Sequence, residues 1–181
     1  MSDFEEELVE EIESFDDIRD EVRDLTSEMD FGVAAWHEDG RWTLATLPDP
    51  HDIAQIISRL KSQQTNGGSI ALIAIDEEFF ILIRVLGSHI SLFLSDATAA
   101  LDYPVAEELM EIADLPIPEE DEEPGPVGHL AILADLGLSE MEMTALCDDE
   151  ELFPDEQLEA IAARLGFGEE FLVLAKSLRS Y

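Results

Sequence analysis

Four histidines, one cysteine and forty-four carboxylates are the side chains of this 181-residue chain best suited to holding a metal or moving a proton. The lone Cys147 excludes an intrachain disulfide and any multi-cysteine zinc site, and it reads as a small residue on a helix face. His37-Glu38 adjoins an Asp39-Gly40 turn signal and reads as a solvated polar pair, while His51, His89 and His129 stand alone in sequence. Phosphate chemistry has no support. Gly67-Gly68 lacks a following Lys-Ser/Thr, and Gly166-Phe167-Gly168 reads as a joint between two helices. The five consecutive acids at 119–123 splay outward and lack the spaced ligands and glycine turn of a calcium loop. Ser95-Asp96, at a strand end, is the best-placed polar pair, although a turn with a helix cap at Asp96 explains it more simply. No catalytic residue, cofactor site or metal site is therefore expected.

The charge balance points to a partner instead. Forty-four acids against nine bases give a net charge of −35 at pH 7, yet 46% of the chain is hydrophobic. A disordered acidic tail would lack the Ile, Leu, Val and Phe that recur here. A nucleic-acid binder needs Lys and Arg to displace counterions from phosphates, and no five-residue window holds more than two of these nine bases. Direct binding of nucleic acid or of an anionic membrane is not expected; a basic protein surface is the favoured partner. No apolar run approaches the roughly 20 residues of a membrane span, and the first residues carry no secretory signal, so a cytoplasmic protein is expected.

Periodicity supplies the elements. Within residues 1–30, fourteen acids accompany a stripe of Phe4, Leu8, Ile12, Phe15, Ile18, Val22, Leu25 and Met29, the spacing of an acidic amphipathic helix. A sheet domain is expected over 31–115. It comprises a hairpin of Phe31–His37 and Trp42–Leu47, a helix capped by Asp49 with Pro50 at its first position and ended by Gly67-Gly68, and three short-linked strands in Ser69–Leu94. Their near-continuous apolar character predicts a sheet covered on both faces. A further helix over Pro104–Ala113 would turn Val105, Leu109 and Ile112 inward. Residues 116–126 read as an acidic, proline-rich linker. Beyond it, 127–181 read as a bundle of four short helices, with a Ser139/Glu142 capping box, Pro154 opening a helix and Gly166 stopping it. So small a unit is expected to dock on the sheet or on a partner. The fold class is α+β, a five-stranded antiparallel sheet with flanking helices in a roadblock- or longin-like element order, plus the helical bundle.

Several runs resemble a known family. Phe79 to Val85, Leu92 to Ala100 with Tyr103-Pro104, Leu133 to Gly137, and Phe153-Pro154-Asp155-Glu156 through Gly168 look like the bacterial tRNA adenosine deaminase-associated proteins, over roughly Phe31 to Leu178. The resemblance implies a partner, the enzyme that converts a tRNA wobble adenosine to inosine, and carries no catalytic residues with it. The chain itself lacks the H-x-E and P-C-x-x-C pattern of a zinc deaminase, since Cys147 stands alone. The expectation is a non-catalytic acidic adaptor or regulator, with Ser95, Asp96, Asp148, Asp149, Asp155 and Glu156 as candidate partner contacts. The alternative is a roadblock- or longin-like scaffold that forms a homodimer and engages a GTPase, with a metal-dependent enzyme behind both.

Overall fold

The computed structural model describes residues 30–63, 65 and 67–179. The expected helix of residues 1–30 falls almost wholly outside the described residues. Six strands form one antiparallel sheet: β1 (Phe31–Glu38), β2 (Arg41–Leu47), β3 (Ser69–Ile75), β4 (Phe79–Leu86), β5 (His89–Leu94) and β6 (Val127–Gly128), in the order β2-β1-β3-β4-β5-β6. The helices are α1 (Ile53–Ser62), α2 (Pro104–Ile112), α3 (Glu140–Cys147), α4 (Pro154–Leu165) and α5 (Gly168–Arg179), with 3₁₀ turns at Ala97–Leu101 and Ala134–Leu136.

The α+β class holds, but the sheet has six strands rather than five. The sixth comes from the first two residues of the expected helical bundle, just past the linker. Val127 pairs with Leu94 and Gly128 with Phe93. A β-carbon on Gly128 would sit 2.4 Å from the Leu92 carbonyl, so only glycine, at φ +102°, lets this short edge strand close on β5. Two residues give no periodic signal, which is why the sequence hides this strand.

Every residue of β3 is buried. Strand alternation sends Ala71, Ile73 and Ile75 to one face and Ile70, Leu72 and Ala74 to the other. On the first face α1 and α2 bring Ile53, Ile56, Leu60, Val105, Leu109 and Met110 into the core. On the second, α4 crosses β3 and β4 while α5 lies on β1 and β2, bringing Leu158, Ile161, Phe167 and Phe171 against Phe31, Phe80 and Phe93. The C-terminal helices thus share one core with the sheet.

Four local expectations need correction. Asp52, not Asp49, caps α1, accepting from Gln55 N at 3.0 Å; Asp49 instead accepts from His51 N. The helix ends at Ser62, ahead of the glycines. Ile112 is 46% exposed, and the inward side of α2 is Val105, Ala106, Leu109 and Met110. The first of the four short helices expected after the linker, where Leu130, Leu133 and Leu136 recur before Gly137, is instead a turn and a 3₁₀ segment ended by that glycine.

Candidate functional site

The β3–β4 turn is built from Asp76 and Glu77, both in the left-handed region at φ 54°. A primed turn matches the twist of a tight hairpin, but without glycine each such residue costs of order 1 kcal/mol. Two contacts on Asp76 hold it there: its N–H donates to Asp30 Oδ1, and its Oδ2 accepts from the Tyr103 hydroxyl. The turn presents Glu77 and Glu78 to solvent. Beside them β5 runs out at Ser95, whose hydroxyl accepts from Phe80 N at 2.9 Å while its N–H donates to Phe80 O. Asp96 Oδ1 then accepts from both the N–H and the hydroxyl of Thr98, capping the 3₁₀ turn. Ala97 N donates to Gly125 O at 2.8 Å, which pins the end of the acidic linker to the same corner.

The α3–α4 loop closes the other side. Gln157 donates from Nε2 to Leu146 O at 2.9 Å and so ties α4 to the end of α3. Glu156 Oε1 accepts from Phe153 N, fixing the entry to α4. Between these elements lies a cleft of about 390 Å³. Its lining includes six carboxylates, those of Glu77, Glu78, Asp96, Asp148, Asp149 and Glu150, with no Lys, Arg or His. Cys147, Phe153, Pro154 and Gln157 line it too. Like charges gathered without a counterion disfavour ionisation. Burial first, and then the carboxylates of Asp76, Asp96 and Asp102, push Glu78 above its ordinary value. Burial, with the Asp148 charge behind it, pushes the Cys147 thiol up to about 12.

Residues 30–168 match the family described as Rv3753c-like tRNA adenosine deaminase-associated protein. The chain belongs to that family. It is 38% identical over 146 residues to Protein Rv3753c of Mycobacterium tuberculosis strain H37Rv, an alignment that covers 77% of this chain and 84% of the relative. No solved structure matches.

In this member of the Rv3753c-like family, four of the six predicted contact residues come together. Ser95, Asp96, Asp148 and Asp149 line the one cleft although more than fifty positions separate the two pairs. Asp155 and Glu156 do not line it; they form the first turn of α4, where acids complement the helix dipole. Glu77, Glu78, Glu150 and Gln157 were missed. The first two read as turn residues, and a glutamine in an amphipathic helix announces nothing until its neighbours are known. Among the described residues no three His, Cys, Asp or Glu side chains are grouped to hold a metal ion, and no helix is long and apolar enough to cross a membrane.

Proposed function

We propose that this chain is a non-catalytic acidic adaptor for the tRNA adenosine deaminase, acting in the cytoplasm and meeting the enzyme through the cleft between the β3–β4 turn, Asp96 and the α3–α4 loop. The observation that carries this reading is the unneutralised cleft: six carboxylates with no cation in the lining. The family's description as tRNA adenosine deaminase-associated supports the choice of partner. A tRNA-binding enzyme must present Lys and Arg, so its surface is complementary to that of a chain carrying −35 charges. Complementarity of this kind raises the association rate and makes binding fall with salt.

Co-purification with the deaminase at moderate salt, followed by deamination assays with and without this chain, tests the proposal. The expected result is a complex that dissociates as salt rises, together with altered kinetics. Absence of a complex with unchanged kinetics would sink it. An elongated homodimer indifferent to the deaminase would support the roadblock- or longin-like scaffold instead.

A further inference from the structure

We infer that the cleft seats an arginine side chain of the protein partner, its guanidinium taken up by the Gln157 amide oxygen and the carboxylates around it. The adaptor reading names the partner; the chemistry of the seat stands on the cleft itself.

Gln157 is the one buried polar residue in the lining, 7% exposed. Its amide orientation is forced, because the Leu146 carbonyl can only accept and so must face Nε2. The amide oxygen is left with no partner among the described residues. Nor is that oxygen sealed away: among the described residues, Arg84 Nε is the single fully enclosed side-chain nitrogen or oxygen without a partner. An unpartnered acceptor on a buried side chain that lines a cleft suits a ligand that donates. None of the six carboxylates forms an ion pair among the described residues, so the cleft offers acceptors in excess.

A guanidinium matches this environment, with five donors and no acceptor on a planar frame. The aromatic ring of Phe153, 56% exposed in the lining, favours it further. Guanidinium planes stack on aromatic faces and shed water more readily than an ammonium does. The absence of three metal-ligating side chains grouped together among the described residues makes a divalent cation the poorer fit.

The test titrates the ¹⁵N-labelled full chain with the peptide acetyl-Gly-Gly-Arg-Gly-Gly-amide and with versions carrying lysine or neutral citrulline in place of arginine. Expected are shifts of the Gln157 side-chain amide and of backbone amides at 95–97 and 148–157. Arginine should bind about two- to fivefold tighter than lysine, and citrulline should leave the spectrum unchanged. Asp148→Asn with Asp149→Asn, both at exposed positions, should weaken binding about three- to tenfold, whereas Glu119→Gln with Glu120→Gln removes the same charge elsewhere and should leave it unchanged. Equal binding of arginine and lysine, shifts spread over the whole acidic surface, or a silent Gln157 amide would each overturn the inference. The two readings can fail separately. A deaminase complex that D148N/D149N does not weaken leaves the adaptor standing and removes the arginine seat; an arginine peptide seated at Gln157 without any deaminase complex does the reverse.

Discussion

Arg84, projecting from β4 toward the C-terminal helices, grips Asp135 with both prongs of its guanidinium: Nη2 donates to Oδ2 at 2.9 Å and Nη1 donates to Oδ1. The same group donates to Ile132 O at 2.9 Å and to Gly67 O at 3.1 Å. One side chain therefore ties β4 to the loop ahead of β3 and to the segment that follows β6. Its own side chain is 6% exposed while that of Asp135 is 60% exposed, so the pair joins a buried cation to a solvated anion. A buried guanidinium is tolerable because both of its Nη groups are fully used, leaving Nε alone without a partner.

Replacing the arginine should therefore cost more than replacing the aspartate. Arg84→Met leaves the Ile132 and Gly67 carbonyls without their donor and should destabilise by about 1–3 kcal/mol. Asp135→Asn removes a partner already screened by water and should cost about 1 kcal/mol or less. The Arg84 hydrogen bond holds the Asp135 carboxyl below its ordinary value. Its contribution is thus present above the unfolded aspartate pKa and disappears as pH falls through the lowered folded one. Urea unfolding at neutral and strongly acidic pH checks both points: the cost of D135N should vanish in acid, and a pH-independent cost would show that the ion pair contributes nothing.

Leu165 tests whether the C-terminal helices are a separate unit. It is 9% exposed and belongs to the same cluster as Val33, Ile70 and Phe80 of the sheet. Leu165→Ala should cost about 2–5 kcal/mol, as at other buried leucines. Because the core is shared, unfolding followed by far-ultraviolet circular dichroism and by tryptophan fluorescence should remain a single coincident transition. An earlier transition confined to the helices would mean that they form a separate unit.

The physical range of each signal decided how much of this was legible in the sequence. Strands β1 to β5 and helices α2, α4 and α5 declare themselves through alternation, apolar runs, Pro154 and Gly166, because those cues act within a few residues. Asp49 misled because Asp-Pro is a strong local start signal, yet the helix begins later, at Ile53 with Asp52 as its cap. Strand β6 was invisible because it needs Leu92 and Phe93 beside it before the role of Gly128 has any meaning. The cleft was half legible for the same reason. Asp96 and Asp148 could be named as polar candidates, but their meeting depends on the α3–α4 loop folding back over the strand ends, a tertiary fact.

His51 gives stability an alkaline limb. Its Nε2 lies 2.8 Å from Asp30 Oδ2, and the Asp30 side chain is only 2% exposed. The hydrogen bond to Asp30 is the chief cause that raises the histidine above its ordinary value, aided by the charges of Asp30 and Asp49 and opposed by burial. A raised folded pKa means that the stabilisation is complete below the unfolded histidine value and is lost as pH climbs through the folded one. The histidine is nearly half exposed, so the gain is a fraction of a kcal/mol after screening. His51→Gln should flatten the fall in urea midpoint between about pH 6 and 8. An unchanged slope would assign that fall to other groups.

Cys147 reports on the cleft that it lines. It is half-buried at the end of α3 and lines the cleft, and burial together with the Asp148 charge pushes its thiol up to about 12. The thiolate is the reactive form, so at pH 8 the thiol of the folded chain should react with a disulfide reagent far more slowly than in urea. The sign follows from the direction of the shift: raising the pKa removes thiolate at every pH below it. Asp148→Asn takes away the smaller of the two causes and should speed the reaction modestly, while occupancy of the cleft should slow it further by blocking access. Full-speed reaction in the native protein would show that the α3–α4 loop opens readily and that the thiol is not held in a buried, acidic setting.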